Sequence, residues 1–252
     1  MKVSIVTVVY NNKDFISKAI ESLNKQTYRP IEHVLIDGGS NDGTQEMIRP
    51  YLNKIDYFIS EKDSGIYNAL NKGISICTGD VIGILHADDF YPTNDVISEV
   101  IDAFNSNETD IVYGVGQFVD RERPNLIRRR YGSKPFKKYF LYYGWIPLHT
   151  TMFVKRDIYE KFGLYDEKYK ISSDYEASLR WFTNSKITTF YLDKILIHMR
   201  LGGASTRLYL QFYKSYEDLQ VIRRYGLMSI FTLFAKITRK IPQYIQRFKF
   251  VK

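Results

Sequence analysis

The feature that most constrains this chain is the run Val3 to Val9, dominated by β-branched apolar residues, with a helical pattern directly behind it. A run without polar alternation predicts a strand covered on both faces. Phe15, Ile16, Ala19, Ile20 and Leu23 then recur at helical spacing. The same unit repeats. Ile31 to Ile36 reads as a second buried strand ending at Asp37. Met47, Ile48, Tyr51 and Leu52 mark a short helix, Ile55 to Ile59 a strand, and Ile66 to Ile76 a helix. Val81 to Leu85 is a further strand, which stops before His86-Ala87-Asp88-Asp89. Val96, Ile97, Val100, Ile101 and Phe104 form the next helical face. Strands alternating with helices at these lengths predict an α/β fold, a Rossmann-like mixed sheet with helices on both faces.

The second half is less regular. Ile111 to Val119 reads as a strand interrupted by Gly114 and Gly116. Asp120 to Lys138 is polar and basic and reads as a loop or hairpin excursion. Thr150 to Val154 is a short strand, and a helix starts near Asp174. Ile187 to Leu192 and Ile195 to Met199 read as two strands. From Thr206 onward the pattern is helical.

Charge is distributed unevenly. The net charge is +8, and no acidic residue follows Asp218. Leu219 to Lys252 holds eight cations, which equals the whole excess and leaves the first 218 residues neutral. A basic tail on a neutral body points to an anionic surface as partner and away from nucleic acid. In that tail Ile230, Leu233, Phe234, Ile237, Ile241, Tyr244, Ile245 and Phe248 share one helical face. Lys236, Arg239, Lys240 and Arg247 fall opposite, and Pro242 kinks or splits the helix. This reads as an interfacial helix lying on an anionic membrane, with residues 219–252 as the contact. The rival arrangement packs the apolar stripe on the body and leaves the cations solvated. Cys77 is the only cysteine. With no signal-like start and no run of about 20 apolar residues, the expected location is cytoplasmic, peripheral on the inner face of the cell membrane.

Polar residues gather just past the strand ends, where open α/β sheets bind ligands. Asp88-Asp89 offers two oxygen donors suited to Mg²⁺ or Mn²⁺, or else an N-cap and turn. Asp37-Gly38-Gly39-Ser40-Asn41-Asp42-Gly43-Thr44 lets backbone amides approach a ligand, or forms an Asx-rich turn. Glu61 to Gly73 reads as a helix turned to a ligand, or as a capped surface helix with Asn71 and Lys72 exposed. Ser172-Ser173-Asp174 brings a carboxylate to a helix start, where capping alone also accounts for it. No Gly-x-x-x-x-Gly-Lys-Ser/Thr is present, which argues against a P-loop enzyme, and Gly114-x-Gly116 does not complete a dinucleotide fingerprint.

Together these segments resemble the inverting family 2 glycosyltransferases of the GT-A fold, bacterial polysaccharide-biosynthesis type. The match runs from Val3–Asn11 through Asp37–Thr44, Asp63–Gly73, Asp88-Asp89 and Asp174 to Leu201-Gly202-Gly203-Ala204-Ser205. It implies a catalytic domain over 1–205, its nucleotide-sugar half at 1–115 and its acceptor half at 116–205, followed by C-terminal amphipathic helices over 206–252. It implies a nucleotide-sugar donor, typically a UDP-sugar, and a lipid-linked saccharide acceptor in capsule, O-antigen or exopolysaccharide synthesis. Tyr10 and Asp37 would hold the base, with Thr7 nearby. Asp63 and Asn71 would line the donor pocket, and Asp88 would contact ribose or metal. Asp89 would bind a divalent metal, with His198 as a further ligand. Asp174 would be the general base, and His149 lies on the acceptor side. His86 departs from the Asp-x-Asp-Asp arrangement of many members. The alternative class is an inactive nucleotide-sugar-binding or membrane-surface scaffold. A sugar nucleotidyltransferase is the nearest enzymatic rival, but its Gly-rich N-terminal loop is missing.

Overall fold

In a computed structural model that describes residues 1–202 and 208–239, one nine-stranded mixed sheet organises the chain. Strand β1 (Val3–Val9) is buried at every position, as its two-sided apolar run demands. It pairs in parallel with β2 (Ile31–Asp37), β2 with β3 (Tyr57–Ser60), and β1 with β4 (Val81–Ile84). The register aligns Val9 with Asp37 and Asp37 with Ser60. Three strands therefore deliver their C-terminal residues to one edge.

Beyond β4 the sheet becomes mixed. Strand β8 (Met152–Lys155) runs antiparallel between β4 and β6 (Ile111–Val119). Strand β9 (Thr189–Arg200) is parallel to β6, and the two-residue β5 (Asp89–Phe90) closes on β9. Strand β7 (Ile127–Arg130) folds back on β6 as the hairpin expected from the polar excursion.

Alternation along the strands assigns the helices to faces. Val6 and Val8 join a cluster with α3 (Ile66–Ile76), α5 (Arg156–Phe162), α6 (Ser173–Thr183) and α7 (Leu208–Arg224). Val3 and Ile5 pack instead with α1 (Ile16–Asn24) and α4 (Val96–Ser106). The short α2 (Thr44–Ile48) adds Ile48 to a third cluster with Val9 and Ile20.

Two sequence expectations are corrected. Gly114 and Gly116 do not interrupt β6. Neighbouring side chains fill the space a Cβ would take, Leu196 Cγ at 2.6 Å from Gly114 and Leu148 Cδ2 at 2.5 Å from Gly116. The two strands expected over 187–199 are one, with exposed Asp193-Lys194 at the place where its register on β6 shifts. Helix α7 packs on the body: Val221 and Ile222 are fully buried, and the Glu217 carboxylate accepts from the amides of Lys170, Ile171 and Ser172.

Helix α8 (Ser229–Thr238) turns most of its apolar stripe away from the body, unlike the rival arrangement. Thr232 and Lys236 face the protein, whereas Ile230, Phe234 and Ile237 face outward. Asp218 is the physical reason. This buried carboxylate needs a cation, and Lys236 Nζ supplies one at 2.8 Å while lying 3.1 Å from the Tyr175 ring centroid. The expected kink at Pro242 and the expected contacts of Lys240, Ile241, Tyr244, Ile245, Arg247 and Phe248 lie outside the described residues.

Candidate active site

The edge formed by β1, β2 and β3 is built from short polar side chains and close backbone. Tyr10, one residue past β1, is the most open of them. Asn11 adopts a left-handed φ of 48°, which lets its Oδ1 accept from the Asn41 amide at 2.9 Å. Asp37 is fully buried. Its carboxylate accepts from the Ser40 amide and hydroxyl and, at 2.6 Å, from the Ser60 hydroxyl. Asp37 therefore ties the Gly38–Thr44 loop to the end of β3. Gly38 allows the next contact, because a Cβ there would stand 2.5 Å from Asp63 Oδ2. Asp63 in turn accepts from the Gly65 amide ahead of α3. Tyr10, the Asp37 loop and Asp63 thus form one rim.

Two expected donor contacts are drawn elsewhere. Thr7 is fully buried within the sheet, its Oγ1 3.0 Å from His33 Nε2. Burial pulls the His33 imidazole down to about 4, so it is neutral there. Asn71 spends its whole amide on a clamp. Its Nδ2 donates to the Tyr165 carbonyl and to Glu167, and its Oδ1 accepts from the Tyr165 amide, all at 2.9 Å. Thr7 thus supports β1, and Asn71 fixes the 165–167 loop against α3.

Asp88 and Asp89 follow β4. Asp89 is buried, and both burial and the Asp88 charge push its carboxyl well above the usual range, against the pull of Arg200. Burial also raises Asp88, opposed by Arg121 and Arg200. The Arg200 guanidinium is itself buried, donates to the Asp88 carbonyl at 2.7 Å and lies against the rings of Phe15 and Phe90. Two adjacent carboxylates that burial drives toward their neutral form make a site short of positive charge. That donor set fits Mg²⁺ or Mn²⁺, which take one or two protein carboxylates and complete their shell with phosphate oxygens. Among the described residues no group of three ligating side chains converges. His198 is not brought to Asp89. Asp89 is opposite Met199 and Phe90 opposite His198, so the pleat sends Asp89 and His198 to opposite faces. His198 Nε2 instead meets Gln117 Oε1 at 3.1 Å. Sequence reading missed Arg200 and Arg121. A cation at a strand end just before Gly202-Gly203 was the available signal.

A second centre forms where β4, the lead into β8, α3 and α6 meet. His86 Nε2 lies 3.0 Å from His149 Nε2, and His149 Nδ1 lies 3.3 Å from Asp174 Oδ2. Asp174 Oδ1 accepts from the Tyr67 hydroxyl at 3.1 Å and from the Tyr175 amide in the first turn of α6. Burial alone would raise the Asp174 carboxyl. His149, Lys214 and Lys236 outweigh it and hold the group far below the carboxylate range. His86 is lowered too, to about 3, chiefly by burial and then by His149, which for an imidazole means that it stays neutral. With Nδ1–H aimed at Asp174, His149 accepts at Nε2 from His86. The sequence reading did not join His86 to this centre; its place two residues before Asp88 was the only clue. Tyr67 is also a wall of a cleft of about 690 Å³ shared with Tyr169, Lys170, Ile171 and Tyr213.

Known proteins carry the same pattern. The model for "Glycosyl transferase family 2" matches residues 4–163. An uncharacterized glycosyltransferase of Rickettsia prowazekii is 33% identical over 230 residues, covering 86% of this chain and 70% of that protein. Its counterpart in Rickettsia typhi is spanned over 65% of its length, so the chain covers about two thirds of these relatives. Among solved structures, residues 1–349 of Staphylococcus aureus TarS in complex with UDP-GlcNAc give a TM-score of 0.67 at 14% identity, covering 98% of this chain and 79% of that one. A mannosyltransferase of Pyrobaculum calidifontis in complex with GDP-Man and Mn²⁺ gives 0.67 at 15% identity, covering 98% and 74%. On this sheet, these motifs and these likenesses, the chain belongs to glycosyltransferase family 2 and has the GT-A fold.

Proposed function

We propose that this glycosyltransferase moves a hexosyl group from a nucleoside diphosphate sugar, with UDP-sugars the first candidates, to a hydroxyl of a lipid-linked saccharide, with inversion, in cell-surface polysaccharide assembly. The observation that carries this reading is the pairing of two unlike acidic centres. Burial pushes Asp88 and Asp89 toward their neutral form against the pull of Arg121 and Arg200, while Asp174 is held ionised. The first suits a leaving diphosphate with its cation, and the second suits a proton acceptor. The likeness to the TarS complex with UDP-GlcNAc and to the mannosyltransferase complex with GDP-Man and Mn²⁺ supports the donor class and a divalent metal.

In this reading Tyr10 stacks on the base, and the Asp37-ordered loop presents backbone amides to the nucleotide beside Asp63. Asp88 and Asp89 would hold the metal, which when bound supplies Lewis-acid neutralisation of the leaving diphosphate. The acceptor enters by the cleft walled by Tyr67, whose hydroxyl donates to Asp174. Its hydroxyl oxygen forms the new bond to the anomeric carbon as the bond to the diphosphate oxygen breaks. The proton leaves toward the Asp174–His149 pair. One displacement inverts the centre and needs no enzyme nucleophile.

The test is a screen of nucleotide sugars for hydrolysis and transfer with Mn²⁺ or Mg²⁺ against short lipid-linked saccharides. Turnover with one donor supports the reading. Nucleotide binding without turnover under any of these conditions would leave the inactive scaffold in its place.

A further inference from the structure

The outward side of α8 is the least expected surface of the molecule. Ile230, Phe231, Phe234 and Ile237 are 70, 46, 65 and 51% exposed. Residues 230, 234 and 237 lie on one helical face, with 231 beside it. The inward side of the same helix holds buried Thr232 and Lys236 with Leu233 beside them, so core packing accounts for Leu233 and not for the other four apolar residues. The helix is locked in this orientation. Lys236 pairs with Asp218, and Arg239 Nη2 donates to the Gly144 carbonyl at 3.1 Å.

A second segment, distant in sequence, completes the surface. The 3-10 turn Lys138–Tyr143 packs alongside α8. The Tyr143 and Phe231 rings meet at 5.9 Å between centroids. Tyr139, Tyr142 and Tyr143 are exposed, as are Lys137 and Lys138. From Arg123 to Arg156 the sequence has nine cations and no acid, and no acid follows Asp218. The fold brings these two acid-free segments together.

We infer that this composite surface, α8 with the Lys138–Tyr143 turn, docks the enzyme on an anionic phospholipid bilayer. Phenylalanine and isoleucine enter the acyl boundary, tyrosines sit at headgroup depth, and lysines meet lipid phosphates. A protein interface is the weaker match, because such interfaces are depleted in lysine whereas cationic interfacial helices are rich in it. No helix among the described residues is long and apolar enough to cross a membrane, which fits contact in the interfacial plane. The inference is independent of the donor, the acceptor and the catalytic assignments.

Flotation of the full chain with phosphatidylcholine vesicles, with and without phosphatidylglycerol, tests it. The chain floats with the anionic vesicles, and more weakly as salt rises. Phe231→Ser with Phe234→Ser lowers the partition coefficient roughly tenfold or more, because two immersed rings are withdrawn. Lys137→Glu with Lys138→Glu abolishes the preference for anionic lipid. Both variants keep the wild-type circular dichroism melt, since all four side chains are exposed. No flotation, or flotation that neither variant reduces, overturns the inference. So does self-association in light scattering that the phenylalanine variant removes while vesicles are ignored, which would make a second copy the occupant.

Discussion

His149 sets its Nδ1 3.3 Å from Asp174 Oδ2, joining a residue just ahead of β8 to the first turn of α6. The contact holds the carboxylate ionised and gives the imidazole a fixed tautomer, as an orienting carboxylate does. In the proposed reaction a carboxylate held this low is only weakly basic, so the pair, and not Asp174 alone, would take the acceptor's proton. Asp174→Asn and His149→Ala should each lower kcat by about 10²–10⁴-fold, the range for loss of acid–base help. Exogenous imidazole should restore part of the activity of His149→Ala and none of that of Asp174→Asn. Rescue of neither variant, with the donor still bound at wild-type affinity, would reduce His149 to a structural role.

Asp89 presents the opposite balance, a buried carboxyl pushed up by burial and by Asp88. A group whose folded pKa is raised opposes folding as pH climbs past its ordinary range. Asp89→Asn should therefore raise the melting temperature of the metal-free protein at pH 7 and abolish the shift produced by Mn²⁺ with nucleoside diphosphate. Thermal scans with and without both ligands measure the two effects. An apo protein that melts lower after the substitution would contradict the assigned charge balance.

These two centres show how much of the site was legible in sequence. Strands β1, β2 and β4 could be read because burial on both faces leaves no polar alternation, and the carboxylates past their ends could be placed from that. Orientation could not. Asp37 turns inward to Ser40 and Ser60, Thr7 turns to His33, and Asn71 is consumed by Tyr165 and Glu167. Each has the same sequence neighbourhood whether it faces a ligand or its own chain. The His86–His149–Asp174 series depends on β8 inserting beside β4, a pairing across 63 residues between the histidines that no local period encodes. In helix α8 the amphipathic period was legible, but not the buried Asp218 that draws Lys236 inward.

Asp37→Ala should act mainly through the loop. It frees the Ser40 and Ser60 donors and removes the tie between β2 and β3, at a cost of about 1–3 kcal/mol for buried polar groups left unpaired. Nucleoside diphosphate affinity should fall for all bases alike, because the Gly38–Thr44 amides lose their order. Denaturant unfolding and calorimetry with several diphosphates measure both. A selective loss for one base, at unchanged stability, would mean that Asp37 reads the base directly.

Glu32 governs acid sensitivity away from the site. It is buried, and hydrogen bonds from Lys2, Ser4 and Thr78 outweigh burial and hold it at about 2. A depressed carboxyl contributes stability that is complete above its unfolded range and lost as pH falls toward its folded value. Glu32→Gln should therefore narrow the stability difference between pH 7 and pH 3. Equal acid sensitivity in variant and wild type would mean that other carboxylates set the response.

Lys236 offers the sharpest test of how α8 is held. Its pair with Asp218 is buried on both sides, and Asp218 also accepts from Ser172, at the start of the helix that carries Asp174. Removing one partner of a buried pair strands the other charge and typically costs about 3–5 kcal/mol, whereas replacing both with apolar groups is often near neutral. Lys236→Met should thus destabilise strongly, and Lys236→Met with Asp218→Leu much less, a coupling that a double-mutant cycle reads directly. Because Lys236 also helps to keep Asp174 ionised, its loss should move the Asp174 carboxyl upward. In Lys236→Met the acid limb of the kcat profile should therefore shift to higher pH. Additive single effects with an unmoved profile would show that α8 is held by its backbone contacts and has no influence on the catalytic carboxylate.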